Sequence, residues 1–178
     1  MLEDSVADQP VIEAGRFALR PPRQGDTGLL SLYAGDKRVA RGTRSIPHPL
    51  PPGAVEAFVT RALAADREED VWVLDGGEKG HEVLGVVSLR RMDRNQSQLG
   101  YWVAPAMWNT GLASEAVKAM VEANPLDNEI LFAEVFQDNP ASARVLTNAG
   151  FEYIGEAEAH SVSRGANVPT WTYIRRMR

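Results

Sequence analysis

Cysteine is absent from this chain, which excludes a disulfide framework and any chemistry carried by a protein thiolate. Histidine is scarce. The three present, His48, His81 and His160, are scattered, and His81-Glu82 lacks the second histidine of a zinc-binding helix; no metal site is expected. No apolar run approaches membrane-spanning length, and the opening MLEDSVADQP is polar and acidic, without a signal-peptide core. A soluble, cytoplasmic protein without a membrane partner is the expectation. Positive charge is also short: the net charge of −5 argues against a nucleic-acid surface and tolerates a cationic partner. Neither G-x-x-x-x-G-K-[ST] nor G-x-G-x-x-G occurs, so nucleotide phosphate chemistry fits badly. There is no internal repeat and no low-complexity tract.

What remains is an ordinary globular composition, 44% hydrophobic and 24% charged over 178 residues, enough for one domain with a real core. Residues 1–14 read as a flexible arm and 15–178 as the single domain. Phe17 and Leu19 alternate in a short strand stopped by Pro21-Pro22, and Asp26 stands near the cap of a first helix carrying Leu29, Leu30, Leu32 and Tyr33. Residues 38–52, rich in Gly, Pro, Ser and Arg, read as a loop. Val55, Phe58, Val59, Ala62 and Leu63 follow helical spacing, and the acidic run 66–70 reads as solvated surface. Strands at 71–74, 83–91 and 99–104, separated by turns, form an antiparallel meander.

The end of that meander attracts attention. Leu99 to Ala104 carries a glycine, Gly100, where a strand bulges or splays. Trp108-Asn109-Thr110-Gly111 then makes a short turn, and Leu112, Ala116, Met120 and Ala123 keep helical spacing. The first backbone N–H groups of such a helix lack intrahelical partners and sit at the positive end of its dipole, an arrangement that suits a phosphate. Gly111 lets backbone approach the anion, and Ala113 and Ser114 add little bulk. Beyond it, residues 130–136 are apolar except for Glu134, as in a central strand covered on both faces. Asp138-Asn139-Pro140 opens a helix that ends at Gly150, and strands at 151–163 and 170–177 close the chain. The order implies one mixed sheet with helices on both faces.

Two motifs in fixed order carry a family resemblance. Trp108-Asn109-Thr110-Gly111-Leu112-Ala113-Ser114-Glu115-Ala116 resembles the acetyl-CoA pyrophosphate loop of the GNAT N-acetyltransferases. It is closest to the ribosomal-protein N-terminal (RimJ/RimL-type) branch with its W-G-x-G-x-A-[ST]-E-A pattern. Asp138-Asn139-Pro140-Ala141-Ser142, Val145-Leu146 and Gly150-Phe151 resemble that branch's D-N-x-x-S…V-L…G-F segment. Leu19-Arg20-Pro21 with Asp26 is similar to its opening, and Leu99-Gly100-Tyr101-Trp102 to its fourth strand. Asn109 departs from the pattern by standing in place of a glycine, and Leu146 where many superfamily members carry a tyrosine acid. Thr170 lies near a position that is often acidic.

The resemblance implies a GNAT-like α+β fold, a mostly antiparallel mixed sheet of about seven strands that splays after the fourth, and an acetyl-CoA-dependent enzyme. It places Trp108, Asn109, Thr110, Gly111, Leu112, Ala113 and Ser114 around the pyrophosphate, and main-chain groups near Trp102 and Val103 at the acetyl end. Asn139 is a helix cap, a cofactor contact or both. Ser142 is the acid that protonates the leaving thiolate, or a second capping hydroxyl. For the base, His160 and Glu134 are the side-chain candidates, and a water chain can also serve. An α-amine, with a reference pKa of about 7.7–8.0, needs less help than a lysine near 10.4. The implied acceptor is an amine, either a protein N-terminus or a small molecule, and Arg41, Arg44 and His48 in the 38–52 loop would suit one bearing a carboxylate. The protein is expected to be a monomer or homodimer. A non-catalytic acyl-CoA-binding module is the competing class.

Overall fold

The computed structural model describes residues 9–177. Among them an eight-stranded sheet runs in the order β1-β2-β3-β4-β5-β6-β8-β7. The strands are β1 (Ile12–Glu13), β2 (Ala18–Arg20), β3 (Glu69–Asp75), β4 (Gly85–Met92), β5 (Gln96–Val103), β6 (Ile130–Phe136), β7 (Glu152–Ser161) and β8 (Ala166–Arg176). All neighbours are antiparallel except β5 and β6. Five α-helices accompany them: α1 (Thr27–Ala34), α2 (Lys37–Arg41), α3 (Ala54–Ala62), α4 (Leu112–Ala123) and α5 (Pro140–Asn148). This is the mixed α/β GNAT-type sheet the motifs implied; the two-residue β1 is the strand beyond the expected seven.

The period-2 alternation of the strands divides the interior into two cores. In β3, Trp72 and Leu74 pack with Leu112, Val117 and Met120 of α4 and Leu146 of α5 on one face. Val71 and Val73 point the other way, onto Leu30 of α1 and Val55 and Val59 of α3. Successive residues serve opposite faces because strand side chains alternate, so a helix layer on each side is needed to cover both.

Four local expectations change. Residues 38–52 are not loop throughout, because α2 occupies Lys37–Arg41, capped by Asp36, whose carboxylate accepts from the Arg38 N–H at 2.8 Å. Its five residues are too few to show periodicity. Asp26 is the N-cap residue of α1, as expected, but its side chain makes no capping bond. Instead its carboxylate is buried and takes both terminal nitrogens of Arg20 at 2.9 Å, with Asp75 accepting from Arg20 Nε at 2.6 Å. The acidic run is not all surface, because Asp70, the second residue of β3, is only 1% exposed, paired with Arg67 and Arg91 at 2.9 Å each. Burial of a carboxylate is tolerated where two guanidinium groups neutralise it. Finally, residues 1–8 of the expected arm lie outside the described residues, while from residue 9 the chain is tied down: Gln9 donates to the Val71 carbonyl and β1 pairs with β2.

The feature that positions the site is where β5 and β6 part. Their parallel pairing runs from Gln96↔Ile130 to Leu99↔Ala133 and stops. Beyond it β5 stays with β4 as far as Val103, and β6 stays with β8 as far as Phe136. Residues 100–103 therefore have a strand on one side only. The split begins at Gly100, as expected, but without a bulge: Ser88↔Gly100 remains in register. The glycine whose missing Cβ matters more is Gly85. A Cβ there would lie 2.4 Å from the Trp102 carbonyl oxygen and 2.9 Å from the Val103 Cα, so only glycine lets β4 support the free end of β5 this closely.

Candidate active site

The V between β5 and β6 is flanked by two cavities. One, of about 700 Å³, is bounded by the end of β5, the N-terminus of α4 and the first turn of α5. The other, of about 550 Å³, lies toward α1, α3 and the loop after α2. They meet at Gly42, Thr43, Tyr101, Trp102, Asn139 and Ser142, which line both.

On the first side the geometry is made by backbone. Gly111, with φ of +80°, is the N-cap of α4 and offers no side chain to its amides. The first intrahelical bond is Glu115 N–H to Gly111 C=O at 3.0 Å. The N–H groups of residues 111–114 thus have no backbone or side-chain acceptor among the described residues, and they lie at the positive end of a helix of 12 residues. Asn109 sits at φ +63°, in the left-handed region that asparagine tolerates better than other non-glycine residues. That is why it can stand in the turn in place of a glycine. Thr110 Oγ1 donates to the Met107 carbonyl, and the Trp108 indole donates to the Val103 carbonyl at 2.9 Å, with the Arg38 guanidinium 5.7 Å over its ring. Thr110 therefore shapes the turn without lining the cavity, while Trp108, Asn109, Gly111, Leu112, Ala113 and Ser114 border it.

A brace holds this turn from across the chain. Arg16, between β1 and β2, donates to the Thr110 carbonyl at 3.0 Å and to Glu115 at 2.7 Å. Sequence reasoning missed it. Glu115 suits the positive end of the helix dipole without any partner, so nothing in the local sequence announced Arg16.

At the junction, Asn139 caps α5. Its Oδ1 accepts from the Ser142 N–H at 3.3 Å, and its Nδ2 has no acceptor among the described residues, so capping uses one end of the amide and leaves the other free. Ser142 Oγ lies 2.8 Å from the Tyr101 hydroxyl, which also donates to the Ser142 carbonyl at 2.9 Å. Burial pushes the Tyr101 phenol well above its ordinary pKa, with the Ser142 bond acting in the opposite direction, so Tyr101 is a neutral donor at any working pH. It is the second residue the sequence did not single out, since GYWV reads equally well as plain strand.

Glu134 and His160 both line the second cavity. Glu134 faces it because β6 alternates: Leu131, Ala133 and Val135 pack in the core, leaving Glu134 on the opposite face. Its Oε1 meets Arg44 at 3.2 Å and its Oε2 accepts from buried Thr170 at 3.2 Å. Thr170 thus supports a carboxylate supplied by the neighbouring strand. His160 is exposed, with Nδ1 3.3 Å from Asn167 Oδ1. Arg41 borders the first cavity instead, 3.6 Å from Asp138, and exposed His48 borders neither. No cluster of residues able to hold a metal occurs among those described, and none of the described helices is long and apolar enough to cross a membrane.

Residues 16–152 match the acetyltransferase (GNAT) domain family. An uncharacterised N-acetyltransferase of Bacillus subtilis, YoaA, is 24% identical over 173 residues, 92% of this chain and 95% of that one. The solved structure of the ribosomal L7/L12 α-N-protein acetyltransferase RimL with coenzyme A superposes with a TM-score of 0.80 at 17% identity, over 94% of this chain and 98% of the other. A spermidine N-acetyltransferase from Vibrio cholerae, solved with CoA and spermine, gives 0.77 at 14% identity, over 91% and 96%.

Proposed function

This chain belongs to the GNAT acetyltransferase family, and from that premise we propose that it moves the acetyl group of acetyl-CoA directly onto a primary amine. The observation that carries the reading is the coincidence of three features in one cleft. These are a strand edge freed beyond Leu99, unpaired amides at residues 111–114, and a Ser142–Tyr101 hydroxyl pair where the two cavities meet. The amides would hold the pyrophosphate, and the one-sided edge of residues 100–103 would hold the pantetheine arm and polarise the thioester carbonyl. The acceptor would enter from the cavity holding Glu134 and His160.

The reaction needs no covalent bond to the protein. The amine lone pair attacks the thioester carbon, and the C–S bond breaks as the tetrahedral adduct collapses. The sulfur takes a proton and the nitrogen loses one. Ser142 is the donor to the sulfur. Tyr101, whose single proton goes to the Ser142 carbonyl, accepts from Ser142 Oγ at rest, and the serine turns its proton to the sulfur as the thiolate leaves. Glu134, or a water resting on it, receives the proton from the nitrogen; His160, at the rim, is the second acceptor. The acceptor is a protein N-terminus or a small-molecule amine.

Thiol release from acetyl-CoA with a panel of N-terminal peptides, amino acids and polyamines tests this, alongside calorimetry with coenzyme A. Turnover with at least one amine is the expected result. Tight coenzyme A binding with no turnover on any would instead make the protein a binding module.

A further inference from the structure

Resting on acetyl transfer at this cleft, we propose that the acceptor amine also carries a carboxylate, bound by Arg61 and Arg44, and that the cavity selects against polyamines. The whole chain is acidic, at −5, yet the acceptor-side cavity is not. It gathers three guanidinium groups, Arg44, Arg61 and Arg90, against two carboxylates, Glu69 and Glu134.

Both carboxylates are already engaged. Glu134 is held by Arg44 and Thr170. Glu69 accepts from Ser88 at 3.2 Å and lies 3.9 Å from Arg90. The guanidinium of Arg61, in the last turn of α3, has no ion pair or hydrogen bond among the described residues. One positive charge is therefore left over before any ligand arrives.

An entering ammonium makes the surplus larger, and it competes with Arg44 for Glu134. If it wins, two guanidinium groups, Arg44 and Arg61, border the cavity without an anion. A carboxylate on the same ligand supplies it, in the forked geometry that guanidinium favours. A ligand with one amine and one carboxylate leaves the local charge unchanged. A polyamine adds several positive charges to a cavity that already has one too many. Between the charged groups, Leu30, Ile46, Leu50, Val55 and Phe58 form an apolar wall that suits an aliphatic or aromatic body. Arg44 and Arg61 are solvent-exposed, so the preference is a matter of tens rather than thousands in rate.

The carboxylate can be the α-carboxyl of an amino acid or an acidic side chain near a peptide N-terminus, and matched pairs separate the two. Initial rates of thiol release from acetyl-CoA are compared for free amino acids against their amides, for N-terminal peptides with Asp or Glu against the same peptides with Asn or Gln, and for spermidine. In at least one arm the carboxylate member is expected to exceed its neutral partner about tenfold in kcat/KM, mainly through KM, and the ratio shrinks with added salt. In Arg61→Gln, whose coenzyme A affinity reports that it is folded, that ratio falls to within about twofold. Ratios within twofold in both arms of the native protein, or spermidine as the best acceptor, overturn this proposal while leaving acetyl transfer standing. Absence of turnover on every amine overturns both.

Discussion

The two cavities that meet at Ser142 are built from different materials. The first is made of main chain: the amides that open α4, two left-handed residues that shape its approach, and a strand with an unpartnered edge. The second is made of side chains brought from far apart, as in Arg44 with Glu134, which are 90 residues apart in sequence. Backbone geometry depends on where glycine is needed and is insensitive to most other substitutions. A side-chain cavity can be respecified one residue at a time. The arrangement suits an enzyme whose donor is constant within a family and whose acceptor differs.

This contrast can be broken most severely at Gly85. Gly85→Ala pushes a Cβ into the Trp102 carbonyl, now 2.4 Å from that position, and backbone on both sides must move. A loss of about 2–4 kcal/mol is expected, read as a fall of roughly 5–10 °C in Tm. Gly111→Val comes next: a β-branched residue at φ +80° carries about 1–3 kcal/mol of strain, relieved by turning the amides out of alignment. Coenzyme A affinity by calorimetry is expected to fall about thirtyfold or more, with Tm lowered by only a few degrees. If affinity is retained, the cradle is not what holds the anion.

Ser142→Ala sharpens the comparison at the point where the two materials join. Its kcat is expected to fall about tenfold or more with coenzyme A affinity within a few fold. An equal fall in affinity would make the serine a binding group. The smallest effect is at Asp138, whose carboxyl is held below its ordinary pKa chiefly by the Arg164 hydrogen bonds at 2.7 and 3.2 Å. A depressed carboxylate pKa stabilises the fold above the unfolded value, near 3.9, and that stability is lost as pH falls through the folded value. Asp138→Asn should therefore cost about 0.5–1 kcal/mol near neutrality, discounted for exposure. The gap from the native protein in urea melts should close as pH drops toward 3.

How far the site was legible follows the same division. The turn from Trp108 to Gly111, the helix it opens, and the Asn139-Pro140 start of α5 could be placed from sequence, because capping and left-handed turns depend on neighbours within four residues. Even the departure at Asn109 has a local explanation. By contrast, Arg16 bracing Thr110 and Glu115, Tyr101 bonding Ser142, and Thr170 supporting Glu134 all join separate elements, and no periodicity announces them. Asp70 was misread, and the Arg20 partner of Asp26 missed, for the same reason: the buried arginine that meets an acidic residue is not visible in its neighbours.

By itself the sequence determined the family, the alternation that gives the sheet two covered faces, and the residues that leave α4's first amides unpaired. Tertiary structure alone decided where β5 leaves β6, which carboxylate of β6 faces the second cavity, and that an acidic chain keeps a locally cationic pocket. Helix caps and strand alternation are written in adjacent residues, whereas strand register and the meeting of distant charges exist only once the chain has closed on itself.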